Sequence, residues 1–385
     1  MKIGILTYHF VPNIGSILQA RCVYQLVQQL VPHASVEMID LRPPELISYR
    51  KSVLRWGDRK VRACRKIEFA KQQKFLRSSC QMSKPILAET LEEQSEELLK
   101  LGYDLVVVGS DTVFQLNGYK GRTIAGSLPP NIYFLPGLKV KKISFAASFD
   151  PFDDCEDSQR FLEIVSPALN DFDYHLARDE VGHSILKKAG VGDNQLSLVA
   201  DPTLTHCLSD LLGPLQRKRH SGGRIGIQVT DPSLTTSLVD GAAIAGRSEA
   251  WIDFSATTPS LIACLVKGWP SAQITRMAEI NAFVTDRFHG SILGFYYTDG
   301  PVIGVEKASV YPNNNSKVRQ LFASLGLEDY VVRVEADDHD SAVRDVLSTM
   351  KRWRSDPPDV ADCLEKLRVD SFEQTKLAFD RVVGA

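Results

Sequence analysis

The 385-residue chain is predicted to be an α/β protein with two successive doubly wound domains and a long C-terminal helix. Three observations predict it. In the first half, short β-rich runs alternate with helical patterns, which is how a parallel sheet covered by helices on both faces is built. After Asp201-Pro202 the chain passes through Gly213-Pro214, a basic patch and Ser221-Gly222-Gly223, clusters that punctuate domain borders, and a second alternating series follows. The last stretch, from about Pro358 to Val383, carries Val360, Cys363, Leu364, Leu367, Phe372 and Phe379 at helical spacing. The expected division is a first domain at 1–212, a second at 213–355, and a helix at 356–385 that returns to the first domain.

The elements follow in order. Strands of the first series are expected at 3–6, 36–41, 105–108, 143–147, 174–177 and 196–200. Between them, Leu18, Cys22, Leu26 and Leu30 recur at helical spacing, Leu98 to Leu101 closes an acidic helix, and Asp179 to Ala189 reads as a helix ended by Gly190. The run 105–108 has no polar break, the pattern of a parallel strand buried on both faces. Strands of the second series are expected at 225–229, 252–254, 283–285, 302–305 and 331–334, with helices between.

Bulk properties exclude several classes. A formal charge of −2 argues against a dedicated nucleic-acid binder. No apolar run approaches the roughly 20 residues needed to cross a bilayer. The chain enters a strand pattern at Lys2-Ile3-Gly4-Ile5-Leu6, with no signal-peptide core. The seven cysteines are scattered and form no C-x-x-C, which suits reduced thiols in a cytoplasmic protein.

The densest chemistry lies in Thr285-Asp286-Arg287-Phe288-His289-Gly290, after the apolar Ala282-Phe283-Val284. It reads as strand, sharp turn and helix, and ligands of open α/β sheets bind at such strand ends. The helix N-terminus favours anions. Arg287 can fork two hydrogen bonds onto a carboxylate or phosphate, and His289 can move a proton near neutral pH. A capped helix with a structural Asp–Arg pair is the plainer alternative.

Four further junctions follow the same logic. After the first strand, His9 and the loop Asn13-Ile14-Gly15-Ser16-Ile17-Leu18-Gln19 form a candidate anion or sugar cradle, with Gly15 allowing close approach and Ser16 placed to cap the helix. After the third, Gly109-Ser110-Asp111 exposes a carboxylate that suits a general base, a sugar-hydroxyl acceptor or the N-cap of a following helix. Arg178, before Asp179-Glu180, suits an anionic substrate or an ion pair with those acids. Asp201-Pro202-Thr203 reads as a structural turn.

From Arg50 to Arg77 eleven basic residues face only Asp58 and Glu68, interleaved with Val53, Leu54, Trp56, Phe69 and Phe75. Segment 50–77 therefore suits peripheral contact with an anionic membrane surface, an acidic acceptor, or simple solvation. The other histidines, at 33, 175, 183, 206, 220 and 339, have no partner at metal-ligand spacing and read as structural. No metal site is expected.

The two-domain arrangement resembles the glycosyltransferase-B architecture, two Rossmann-like domains with a returning helix. More specifically, the motifs resemble the polysaccharide pyruvyltransferase family. The pieces are Gly4-Ile5-Leu6-Thr7-Tyr8 with Asn13-x-Gly15-Ser16-x-Leu18-Gln19, the strand ending in Gly109-Ser110-Asp111, Ile143-Ser144-Phe145-Ala146-Ala147-Ser148, Arg178-Asp179-Glu180, Asp201-Pro202-Thr203, and Thr285 to Gly290. Asn315-Ser316-Lys317-Val318-Arg319 looks like the family's late lysine-bearing helix. The resemblance implies transfer of the enolpyruvyl group of phosphoenolpyruvate, the donor substrate, onto two hydroxyls of a sugar or lipid-linked oligosaccharide. No further cofactor is implied. Arg287, Arg178 and Lys317 are then the candidate clamp on phosphoenolpyruvate, His289 and Asp111 the catalytic pair, and His9, Asn13, Gly15, Ser16, Gln19, Gly109 and Ser110 the candidate substrate cradle. Thr112-Val113-Phe114 replaces the Gln and Trp that members often carry there, and Phe114 is the residue expected to stack on a sugar ring.

Overall fold

The computed structural model describes residues 1–116, 130–149, 156–206, 208–212, 224–244, 250–253, 272–298, 300–335 and 338–384. The Gly213-Pro214 and Ser221-Gly222-Gly223 punctuation, His220 and the end of the strand expected at 252–254 lie outside them. The chain forms two compact units. One comprises Met1–Asp58, Glu68–His206 and Arg368–Ala385, the other Arg59–Ile67 and Cys207–Leu367.

The first unit is built on a six-stranded sheet of β1 (Lys2–Leu6), β2 (Ser35–Met38), β3 (Leu105–Val108), β4 (Lys141–Phe145), β5 (Tyr174–Ala177) and β6 (Leu196–Leu198), in the order β2-β1-β3-β4-β5-β6. Its pairs are all parallel. β3 is buried at all its positions, as an unbroken apolar run demands when helices cover both faces. The first connection leads to one side of β1 and the next strand lies on the other, so the strand order reverses between β1 and β3. Leu6 pairs with Val108, so Thr7 and Gly109 leave the sheet side by side.

The second unit repeats the logic with β7 (Arg224–Gln228), β8 (Ala250–Asp253), β9 (Ala282–Thr285), β10 (Val302–Lys307) and β11 (Val331–Val334), in the order β11-β10-β9-β7-β8. These pairs are parallel too, and the order reverses between β7 and β9. Gln228 is level with Thr285, so Val229-Thr230 and Asp286-Arg287 emerge together.

The C-terminal helix Val360–Val383 returns to the first sheet, as expected. Ser371 Oγ accepts from Ala200 N at 2.8 Å, Val382 O accepts from Lys141 Nζ at 2.7 Å, and Phe379 is 1% exposed. Burying that ring contributes roughly 1.5–3 kcal/mol.

His175, on β5, is structural. Its Nε2 donates to the Leu169 carbonyl (2.8 Å), which leaves Nδ1 to accept from Ser144 Oγ (2.7 Å). Burial lowers the imidazole from 6.5 to about 4, against the opposing effect of the Leu169 carbonyl. Below pH 6.5 the unfolded chain takes up a proton that the folded chain refuses, so this contribution is complete above pH 6.5 and is lost as pH falls toward 4. The loss amounts to roughly 3 kcal/mol. His175→Gln should therefore flatten the fall in unfolding midpoint between those pH values, and an unchanged slope would count against it.

Candidate functional site

Each unit offers a site at its reversal of strand order, the crevice where open α/β sheets bind ligands. In the first unit the crevice is formed by the loops after β1 and β3. Thr7 Oγ1 donates to Ser110 O at 3.1 Å, tying the two together. The helix Ile14–Leu30 starts here. Asn13 is its N-cap, accepting from Gly15 N at 3.0 Å. The capping role expected of Ser16 is therefore corrected. Ser16 lies inside the first turn, and its Oγ donates to Asp111 Oδ2 at 2.5 Å.

Asp111 accepts from Thr112 N through its other oxygen at 2.8 Å. The described residues directly after it, 112–116, are turn and bend, so it is not an N-cap. Its φ of 77° is a conformation tolerated by few residues other than Gly, Asn and Asp. Such outliers cluster where structure holds a functional group in place. A carboxylate beside the N-terminus of Ile14–Leu30 is also favoured by the helix dipole.

Gly109 is required twice over. Its φ is +115°, and a Cβ there would sit 2.3 Å from the backbone oxygen of Phe145. Gly109→Ala is expected to cost about 3 kcal/mol or more, because neither the backbone oxygen nor the torsion can yield cheaply. Thermal unfolding checks this, and a midpoint within a degree or so of the parent protein would contradict it.

Two tyrosines complete this crevice and were not assigned from sequence. Tyr8 and Tyr133 meet edge to face with centroids 5.1 Å apart. Burial, then Tyr133, Asp111 and Tyr49, push the Tyr8 phenol well above its ordinary value. Burial, then Asp111, do the same for Tyr133. Both are thus kept as neutral hydroxyls close to a carboxylate. Tyr8 stood in the quoted motif, whereas Tyr133 lies in a short 3-10 turn, Ile132–Phe134, that carries no sequence signal.

Other expected site residues, two of the cradle and Arg178 of the clamp, face inward. Gln19 is 0% exposed, and its Nε2 donates to Asp201 Oδ2 at 2.5 Å. Arg178 reaches that same oxygen at 3.6 Å and Asp179 Oδ2 at 3.4 Å. Asp179 caps the helix Glu180–Lys188, and Asp201 caps the turn Pro202–Thr205. His9 is 1% exposed, with Nδ1 on Thr7 O (3.2 Å) and Nε2 on Asp40 Oδ1 (3.0 Å). Phe114 corrects an expectation. It is 0% exposed, stacks on Phe134 at 4.9 Å and touches Phe149 and Phe172, so it is core and cannot meet a sugar.

In the second unit, Asp286 crosses the reversal point. Its Oδ2 accepts from Thr230 N at 2.7 Å and from the Thr230 hydroxyl. Arg287 is the N-cap residue of the helix Phe288–Tyr297, so His289 falls in the first turn. Arg287 is exposed, and its guanidinium has no hydrogen-bond or ion-pair partner among the described residues. The structural Asp–Arg pair considered above is thereby corrected, because Asp286 holds Thr230 instead. By contrast, nearby Lys307 is paired with Asp231. Gly290 leaves room for this packing, since a Cβ would lie 2.3 Å from Gln228 Oε1 and 2.7 Å from Thr285 Oγ1.

Lys317 opens the helix Lys317–Ser324, whose N-cap is Ser316. Glu306 fixes that helix start: it accepts from Ser316 N at 3.0 Å, Arg319 Nε at 2.9 Å and Arg333 Nη1 at 3.4 Å, and is itself 1% exposed. The chain thus groups Arg287, His289 and Lys317 in the second unit and keeps Arg178 in the first.

The family model described as polysaccharide pyruvyl transferase matches residues 13–267. No curated protein matches the chain. Among solved structures, a glycosyltransferase from Rickettsia africae aligns over 100% of this chain and 99% of its own, at 10% identity and TM-score 0.53. A putative UDP-N-acetylglucosamine 2-epimerase from Listeria monocytogenes aligns over 100% and 97%, at 10% identity and TM-score 0.52. A UDP-GlcNAc 2-epimerase from Neisseria meningitidis, bound to UDP-GlcNAc, aligns over 98% and 99%, at 11% identity and TM-score 0.50. At such identities the likeness is one of fold, the glycosyltransferase-B-like pair of Rossmann-like domains.

Proposed function

This chain belongs to the polysaccharide pyruvyl transferase family, and we propose on that premise that phosphoenolpyruvate is its donor. The acceptor is a sugar of a cell-surface polysaccharide or its lipid-linked precursor. The observation that carries the reading is Arg287, an exposed cation with no side-chain partner among the described residues, at a helix N-terminus on the strand-order reversal of the second unit. Phosphoenolpyruvate carries a carboxylate and a phosphate, and a planar guanidinium matches either group bidentately. Lys317 supplies a second cation. Arg178 is assigned instead to holding Asp201 and Asp179.

The chemistry balances without an oxidant or reductant. A proton added to the methylene carbon creates an oxocarbenium-like centre at C2. One sugar hydroxyl forms a C–O bond there and loses its proton. Phosphate leaves with the electrons of its C–O bond, and a second hydroxyl closes the ketal and loses its proton. His289 is the acid assisting phosphate departure, and Asp111 is the base or positioning group for an acceptor hydroxyl, with Ser16 orienting it. With arginine and lysine neutralising the phosphate, no metal is required.

Transfer from a nucleotide sugar is the second reading. It needs a free acid for the ribose hydroxyls, and Glu306, near the end of β10, is already engaged by Ser316, Arg319 and Arg333. That favours phosphoenolpyruvate. The test is phosphate release from phosphoenolpyruvate across a panel of sugar acceptors, alongside thermal shifts with phosphoenolpyruvate, UDP and GDP. Acceptor-dependent release supports the proposal. A shift with a nucleoside diphosphate and no release with any acceptor overturns it, and phosphoenolpyruvate binding without release identifies a non-catalytic member. No described helix is long and apolar enough to cross a membrane. Work in the cytoplasm, at the inner face of the membrane, is part of the same proposal.

A further inference from the structure

The basic segment is folded into two helices, Pro44–Arg55 and Arg59–Ser79. Beside the first crevice, residues from this region gather on a single ring. Phe10 is 6% exposed, and the guanidinium carbons of Arg42 and Arg50 lie 4.4 and 4.3 Å from its centroid. Arg50 also lies 5.6 Å from the ring of Phe69, which itself meets Phe10 edge to face. Two like charges are thus stacked on one aromatic residue.

Their carboxylate supply is uneven. Asp40 gives one oxygen to Arg42 Nε at 2.6 Å and the other to Arg42 Nη2 at 2.5 Å. That same carboxylate also meets His9 Nε2 at 3.0 Å and Arg77 Nη2 at 3.8 Å. Arg50 has no carboxylate and no hydrogen-bond acceptor among the described residues, and its Nε is buried without one. Burial, then the neighbouring charge of Arg42, lower its pKa from the ordinary arginine value. A partly buried cation beside a second cation, its guanidinium over two rings, is an arrangement that an arriving anion relieves.

The cluster belongs to the acceptor crevice by chain and by field. Phe10 follows Tyr8 and His9 at the end of β1. Gln73 Nε2, from the second of the two helices, donates to His9 O at 2.8 Å. Tyr49, the residue before Arg50, acts electrostatically on Tyr8, as Asp111 does.

We propose that Arg50, with Arg42 and Arg77, forms a phosphate-recognition site that takes the phosphate or diphosphate group of a glycosyl-phosphate acceptor. The acceptor assignment rests on the pyruvyl-transfer reading, while the anion site rests on the geometry alone. Guanidinium planes stacked on a ring present their N–H edges as rigid forks, the geometry that phosphate oxygens match.

Isothermal titration of the full chain with inorganic pyrophosphate tests the site, in an Arg287→Ala background that silences the donor cation. Arg50→Gln keeps the stem on Phe10 and removes the charge, so it should weaken pyrophosphate binding at least about tenfold, with an unchanged unfolding midpoint. Arg50→Lys, which keeps charge without the fork, should fall between. Equal affinity in Arg50→Gln overturns the proposal. Vesicles of phosphatidylcholine with and without phosphatidylglycerol separate the other source of phosphate. If Arg50→Gln loses binding to anionic vesicles and keeps pyrophosphate, the cluster reads a membrane surface and the proposal falls. Turnover of phosphoenolpyruvate by the parent protein is scored separately. Its absence alongside Arg50-dependent pyrophosphate binding upholds the anion site and overturns only the pyruvyl reading.

Discussion

Replacing His289 with alanine is expected to lower kcat for acceptor-dependent phosphate release by about 10²- to 10⁴-fold, the usual worth of a positioned acid or base. The KM for phosphoenolpyruvate should change little, because the imidazole acts on a proton in flight and not on the ground-state anion. Arg287→Ala should show the converse. Losing a charge-assisted hydrogen bond of roughly 1.5–3 kcal/mol raises the KM for phosphoenolpyruvate by about 10- to 10²-fold and leaves kcat nearer its original value. The two residues are separated only by Phe288, at the start of one helix, so a general disturbance of that helix would move both parameters in both variants. Steady-state kinetics that show equal, small losses in the two variants would sink the division of roles.

Asp111→Asn is expected to cost about 10²- to 10⁴-fold in kcat with the fold intact. Asparagine preserves volume and tolerates the positive φ of 77°, while it cannot take up a proton from an acceptor hydroxyl. Ser16→Ala removes the hydrogen bond that orients the carboxylate and leaves the carboxylate itself. Its loss should therefore be smaller, about tenfold, in line with a net contribution near 1.5 kcal/mol for a charged hydrogen bond. If Asp111→Asn retained kcat and only raised the acceptor KM, Asp111 would be a binding residue and the base would have to be sought elsewhere in the crevice.

Much of the fold was legible because its cause is local. The strands at 105–108, 174–177 and 331–334 have the predicted bounds, and for 105–108 the cause is plain, since a parallel strand buried on both faces is apolar throughout. The strands expected at 36–41 and 196–200 end earlier, at Met38 and Leu198, because apolar residues past the last ladder pair enter buried loops and read like strand. The placing of a carboxylate at the end of the third strand, in Gly109-Ser110-Asp111, was legible from the strand–glycine pattern. The role of Ser16 was not. The rule for helix caps names several suitable residues in that loop, and only the position of Asp111, 95 residues away, draws the Ser16 hydroxyl off the helix end.

By itself, the sequence determined the α/β class, the returning helix, the family resemblance and the residue types gathered at each strand end. All of these rest on periodicity or on motifs within a few residues. The tertiary structure alone decided which of those side chains are engaged and which stay open. Asp40 is 31 residues from His9, and Asp201 is 182 from Gln19, so those bonds depend on strand order and not on spacing along the chain. The same distant pairing occupies Arg178 and Glu306 and leaves Arg287 exposed. A buried charge must be compensated where it lies, and which groups end up buried together is settled by the packing of the sheets.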